Sequence, residues 1–233
     1  MNTIWLHQNN SNKLILFFNG WGCDERPFQH MLASEYNVLM LNDYKELVLS
    51  DEVLEAIHHH DEVHVVAWSF GVWVAQCLLM PLKQMISSAI AINGTLEPVC
   101  VKHGIPEPIA LGTLSGLTDA NLLKFQRRML RSKEAWQRFE QVKPKRELEE
   151  VKNELFLLLQ HFKVQKPGEG FYSGAIIGSD DLIMPVENQK AYWDSCAPVI
   201  ELKQPHFCFF EFNSWTDILE LNASIHESTP KES

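Results

Sequence analysis

Short apolar runs alternate with longer amphipathic stretches through the first part of the chain. Ile4 to His7 and Leu14 to Phe18 have the length and content of strands, and the polar segment Asn9-Asn10-Ser11-Asn12 between them predicts a hairpin. Gly20-Trp21-Gly22 breaks the pattern, after which Arg26 to Tyr36 is expected to be helical. Val38 to Leu41 reads as a further strand, and Asp51 to His59 sets Val53, Leu54 and Ile57 on one helical face. Val63 to Ala67 is a β-branched run, Val72 to Leu79 an apolar helix closed by Pro81, and Ala89 to Ile92 a strand ended by Asn93-Gly94. Strands that are apolar throughout belong in a parallel sheet covered on both faces, because alternate side chains then both meet protein.

The alternation stops after Gly94. Residues 95–165 hold no strand pattern: Thr118-Asp119 caps a helix expected to reach about Arg131, and Glu134 to Val142 and Glu147 to Phe162 have helical periods. Strand patterns resume at Gly174 to Ile177 and Val199 to Leu202. The predicted organisation is a doubly wound, mostly parallel α/β core from residues 1–94 and 166–225. A helical lid insertion fills 95–165, and 226–233 form a flexible tail.

Composition narrows the function classes. At 233 residues with 45% hydrophobic content the chain can bury a large core, which excludes disordered and fibrous readings. No apolar run reaches the ~20 residues that span a bilayer, and the polar start from Met1 to Asn12 has no signal-peptide core. Five cysteines without CxxC spacing predict neither a disulfide framework nor a zinc knuckle, so a soluble, cytoplasmic protein is expected. The net charge of −10 opposes binding to nucleic acid or to an anionic membrane. Lys124 to Arg146 runs against that average, with nine basic residues and two acidic ones. Within it Lys124, Arg127, Arg128 and Arg131 recur at the spacing of one helical stripe, which suits an acidic macromolecular partner as well as a plain solvated face.

The chemistry centres on Ala67-Trp68-Ser69-Phe70-Gly71, placed where a strand must turn sharply into a helix. A nucleophilic serine belongs at the tip of such an elbow, with small residues two before and two after so that strand and helix approach closely. Such a serine needs a base and an orienting acid. His206 follows a strand and Pro205 late in the chain, and the adjacent Asp180 and Asp181 follow the strand before it. The order serine, aspartate, histidine is that of an α/β-hydrolase. Backbone N–H groups of Phe70 and Trp21 are the expected oxyanion donors, and the Trp21 indole a candidate wall of the acyl pocket. His58-His59-His60 is read as a helix end rather than a metal site, Cys23 as a bystander, and Glu147, Glu149, Glu150 and Lys152 as a solvated helix face. No cofactor or metal is expected.

On these residues the sequence resembles the BioG-type pimeloyl-[acyl-carrier protein] methyl ester esterases of the α/β-hydrolase superfamily. The shared segments are Phe17 to Gly22, the stretch around Asn42-Asp43-Tyr44, Ala67 to Gly71, Ala91 to Thr95 and Gly178 to Asp181. Ala67 departs from the family's usual glycine. The resemblance selects Asp181 over Asp180 as the acid, through Gly178-x-x-Asp181 with Pro185 four residues on. It implies hydrolysis of the methyl ester of pimeloyl-acyl carrier protein in biotin synthesis, with the carrier as the acidic partner of the basic stripe. A thioesterase or short-chain carboxylesterase on the same triad, and a non-catalytic binding protein of the same fold, remain open at this stage.

Overall fold

A computed structural model describes residues 1–168 and 170–227. Of the expected tail, residues 228–233 lie outside the described residues. The chain runs β1 (Asn2–His7), β2 (Lys13–Phe18), β3 (Asn37–Asn42), α1 (Asp51–His59), β4 (Glu62–Trp68), α2 (Phe70–Leu79) and β5 (Ser88–Ile92). Four helices follow, α3 (Glu107–Ser115), α4 (Asp119–Leu130), α5 (Lys133–Val142) and α6 (Leu148–Val164). The core then resumes with β6 (Gly174–Gly178), α7 (Val186–Trp193), β7 (Val199–Leu202) and α8 (Trp215–Glu227).

The sheet has seven strands in the order β1-β3-β2-β4-β5-β6-β7, parallel throughout except for β1. Both faces are buried, as the apolar strands require. Leu14, Leu16 and Phe18 face a cluster containing Val53 and Ile57 of α1, Trp73 of α2 and Trp193 of α7. Ile15 and Phe17 face the opposite cluster with Phe28, Trp215 and Ile218. The inserted helices saddle the sheet, since Leu155 and Leu158 of α6 join the first cluster while Met129 of α4 and Phe139 of α5 join the second. No helix among the described residues is long and apolar enough to cross a membrane.

Two sequence expectations fail here. β1 and β2 do not form a hairpin, because β3 lies between them, antiparallel to β1 and parallel to β2. Both edges of the buried β2 are taken by parallel partners, and the less buried β1 is left to the sheet edge. The polar turn crosses the start of β3 instead: Asn37 accepts from the Asn9 amide at 2.6 Å and donates to the Ser11 carbonyl at 2.7 Å. Arg26 to Tyr36 is not a helix beyond a 3-10 turn at Arg26–Phe28. Beyond local turn bonds through Met31, Leu32 is drawn to the segment at the start of α8, its N donating to Asn213 O and its O accepting from Trp215 N, both at 2.9 Å.

Three helices went unread. Prolines 106 and 108 at the start of α3 and Pro185 before α7 look like breakers but stand at helix starts, where a missing N–H is harmless. α8 opens with a reciprocal cap in which Ser214 Oγ accepts from Asp217 N at 3.2 Å and Asp217 accepts from Ser214 N at 3.1 Å. Removing that cap with Ser214→Ala is expected to destabilise the protein by about 1 kcal/mol, read as a lowered midpoint in urea.

Candidate active site

Ser69 sits between β4 and α2 with φ 58° and ψ −126°, a left-handed conformation for a residue carrying a Cβ. Such strain costs roughly 1–3 kcal/mol and persists only where neighbours enforce it. Here Ser69 N donates to Ile92 O at 2.9 Å, and Gly71 and Gly94 permit the close approach. A Cβ on Gly71 would lie 2.3 Å from Phe18 O, and one on Gly94 2.3 Å from Ser69 O. Ala67, where the elbow pattern has glycine, is fully buried without displacing the turn.

His206 Nε2 lies 3.0 Å from Ser69 Oγ, and its Nδ1 lies 2.7 Å from Asp181 Oδ2. All three residues are buried. With Nδ1–H donating to the carboxylate, Nε2 is left as the acceptor for the serine hydroxyl. Asp181 Oδ1 also accepts from the amides of Ile183 at 2.7 Å and Met184 at 3.0 Å. Asp180 faces away and pairs with Arg131 at 2.8 Å.

Two further residues, Gln189 and Asn93, bond to the Asp181–His206 pair without having been singled out from the sequence as site residues. Gln189 on α7 donates to Asp181 Oδ2 at 3.0 Å and to Met184 O at 3.0 Å. Asn93, at φ 45°, links three strand ends: Oδ1 accepts from Gly178 N at 2.7 Å, and Nδ2 donates to His206 O at 2.8 Å. Trp68 Nε1 reaches the same His206 carbonyl at 2.9 Å. Asn93-Gly94 offered a signal as an abrupt polar break after an apolar strand.

Trp21 and Phe70 both line the pocket above Ser69. Phe70 is the first residue of α2, so its N–H has no acceptor within the helix. The Trp21 side chain is buried, donating from Nε1 to Val151 O at 2.8 Å and meeting Phe125 edge-on at 5.1 Å. The pocket is lined by apolar residues of the inserted helices, among them Ile109, Phe125, Met129 and Leu155. Arg128 is the permanent charge on its wall.

The basic stripe is exposed but only partly free. Arg128 donates to Leu182 O at 2.7 Å and Arg131, just past the end of α4, is paired with Asp180, so both tie α4 to the loop carrying Asp181. Arg127 lies over the Trp136 ring at 4.9 Å, and Lys124 is exposed. Arg146, counted in the basic window, is buried between Asp43 and Glu154 at 2.5 Å from each and adds nothing to the surface charge.

No metal-ligand spacing is evident in the sequence, yet the loop after β5 brings Glu97, Cys100 and His103 together with their ligand atoms within 4.8 Å. His103 Nδ1 is already bonded to Glu97 at 2.8 Å. The cluster is outside the pocket that holds Ser69. Among the cysteines, burial pushes the Cys23 thiol far up and that of Cys208 up to about 12, while Cys196 is exposed. Iodoacetamide at pH 8 is therefore expected to label Cys196 first and to spare Cys23 and Cys208 in the folded protein. Mass mapping that finds Cys23 modified before unfolding contradicts this.

A seven-stranded doubly wound sheet bearing a strained serine elbow is an α/β-hydrolase fold, and solved hydrolases share it. A lipase-esterase related protein from Clostridium acetobutylicum superposes with a TM-score of 0.63 at 13% identity, covering 97% of this chain and 98% of that one. The sequence matches the pimeloyl-ACP methyl esterase BioG family over residues 1–218, and the chain belongs to that family. BioG from Haemophilus influenzae, known from a crystal structure, superposes with a TM-score of 0.86 at 31% identity, covering 94% of this chain and 99% of that one. A malonyl-[acyl-carrier protein] O-methyltransferase of Bacteroides fragilis is 40% identical over 183 residues, 77% of this chain; the match covers only 36% of that longer protein.

Proposed function

We propose that the protein is a serine carboxylesterase that hydrolyses the methyl ester of pimeloyl-acyl carrier protein, releasing methanol. The observation that carries this is the bonded relay Asp181–His206–Ser69 at the floor of an apolar pocket. Family membership supports the substrate, and the name of the Bacteroides fragilis relative adds support for an acyl-carrier substrate. His206 Nε2 takes the Ser69 proton as Oγ attacks the ester carbonyl. The Phe70 and Trp21 amides receive the negative charge on the carbonyl oxygen. The proton passes to the departing methoxide, methanol leaves, and a water activated by His206 then hydrolyses the acyl-enzyme. Asp181 holds the imidazole in the one tautomer that can act. The helices from α3 to α6 serve as the lid, and their apolar lining suits the methylene chain of the acyl group.

The decisive assay is hydrolysis of pimeloyl-acyl carrier protein methyl ester, followed by mass spectrometry, with Ser69→Ala as control. Loss of 14 Da from the acyl chain with the thioester intact is the expected product. Cleavage of the thioester instead would move the enzyme to the thioesterases.

An acidic carrier would dock beside α4, where Lys124 and Arg127 are exposed and form no ion pair among the described residues. Lys124→Glu with Arg127→Glu is expected to lower kcat/KM at least ~10-fold on the carrier substrate and to leave a p-nitrophenyl ester unaffected. Added salt narrows the gap, since screening acts on the same charges. Equal rates on the carrier substrate would remove this stripe as the docking surface.

A further inference from the structure

The oxyanion turn is fastened to an inserted helix by a buried carboxylate. Glu154, on α6, is fully buried, and its Oε2 accepts from the Gly22 amide at 3.3 Å. Its Oε1 accepts from the Tyr44 amide at 3.0 Å. Arg146 supplies the counter-charge at 2.5 Å and reaches on to Asp43 at 2.5 Å, and Asp43 is held independently by Lys45 at 2.9 Å. Burial raises the Glu154 carboxyl above the usual carboxylate range, and the Arg146 charge opposes that. An ion pair this deep is poor evidence of stabilisation, because desolvation offsets its attraction and apolar replacements often serve as well. Its placement therefore asks for another explanation.

The Trp21 amide is flanked by two tied peptide groups. On one side Gly20 N donates to Asn19 Oδ1 at 2.7 Å; on the other Gly22 N donates to Glu154. One helical turn before Glu154, the Val151 carbonyl takes the Trp21 indole N–H at 2.8 Å, so the same face of α6 grips both the backbone and the side chain of this turn. Tyr44, whose amide Glu154 also accepts, donates its hydroxyl to Asn19 O at 2.7 Å and closes the circle.

We propose that Glu154, balanced by Arg146, is a positioning residue that aims the Trp21 N–H at the developing oxyanion, so that the inserted helix completes the oxyanion hole of the core. This rests on the reading of Trp21 as an oxyanion donor. The contribution is geometric: a donor displaced by about 1 Å loses much of a stabilisation that exists only in the transition state.

The test compares Glu154→Gln and the apolar pair Glu154→Leu with Arg146→Met against wild type, using p-nitrophenyl butyrate, an alkyl boronic acid that mimics the tetrahedral adduct, and thermal melting. The double variant removes both charges and leaves Asp43 its Lys45 partner but takes the acceptor from the Gly22 and Tyr44 amides, so its melting temperature is expected to fall by a few degrees without loss of the fold. Its kcat is expected to fall about 10–100-fold with KM within about twofold, and boronate affinity to fall by the same factor as kcat. Glu154→Gln keeps one acceptor oxygen and should lie between. A double variant that turns over like wild type overturns the proposal. So does a loss in which KM and boronate binding worsen equally, the mark of general loosening. If the double variant loses the fold, Glu154→Gln decides by the same two criteria. A wild-type enzyme that hydrolyses no ester and takes up no fluorophosphonate at Ser69 instead overturns the proposed esterase function.

Discussion

Ser69→Ala and His206→Ala are each expected to lower kcat on the methyl ester by at least ~10³-fold, with the double variant little worse than either alone. In the proposed mechanism Ser69, His206 and Asp181 act as one relay: the serine is activated while Nε2, 3.0 Å away, accepts its proton, and Nε2 is free to accept while Nδ1–H is given to Asp181 at 2.7 Å. Removing any member leaves only the residual rate supplied by binding and the oxyanion donors. Asp181→Asn belongs with this group, because an amide in that place can turn its NH₂ toward His206 and favour the wrong tautomer. Asp180→Asn should do little to the chemical step, since that carboxylate serves Arg131. Steady-state kinetics on the four single variants would check this, and a larger loss from Asp180→Asn than from Asp181→Asn would reassign the acid.

The second large effect is expected at Gly71, where a single methyl group should damage both stability and rate. An alanine Cβ would lie 2.3 Å from Phe18 O and 2.5 Å from Asn19 O, both backbone atoms of the segment that leads into the Gly20-Trp21-Gly22 turn. Neither can rotate away. Either α2 retreats and carries the Ser69 elbow with it, or the end of β2 shifts and moves Trp21. Gly71→Ala is therefore expected to cost about 3 kcal/mol, a melting temperature lower by roughly 6–12 °C, and about 10²-fold in kcat. Ala67→Gly, the opposite change at the other side of the elbow, removes one buried methyl and should cost only about 1 kcal/mol. Equal effects at the two positions would refute this account of the elbow.

The strands and the elbow were legible because their signals are local. Val63 to Ala67 followed by Ser69, Gly71 and an apolar helix carries strand, turn and helix in one window, and the order of serine, aspartate and histidine survives in one dimension. What failed depended on partners far along the chain. Arg26 to Tyr36 has a plausible helical period, yet the Leu32 amide is given to Asn213 and the Leu32 carbonyl accepts from Trp215. The hairpin between β1 and β2 looked sound until β3, later in sequence, took the place between them. Glu154 stood unmarked beside a run of exposed acids, because nothing nearby in the sequence tells a solvated glutamate from one buried against residues 22 and 44. Gln189 was invisible for the same reason, and Asn93 showed only as a polar break after β5, since their partners are Gly178, His206 and Asp181.

The chain leaves the sheet after β5 and returns in β6, two strands that are hydrogen-bonded neighbours. Because β5 and β6 are parallel, the chain leaves at the carboxyl end of β5 and has to cross back to the amino end of β6, so the helices and the return segment together form the crossover between two neighbouring strands. Such a junction is the kind at which evolution can exchange one covering for another without disturbing the register of the sheet. The grip of α6 on residues 21 and 22 limits that freedom. A transplanted segment has to bring more than an apolar underside: it has to return an acceptor to the Gly22 amide and a cation to match it. Chimeras that restore the pocket but omit this pair should fold and bind, yet hydrolyse slowly. Positions 43, 146 and 154 should accordingly be inherited together, as a set that spans the boundary between the sheet and whatever covers it.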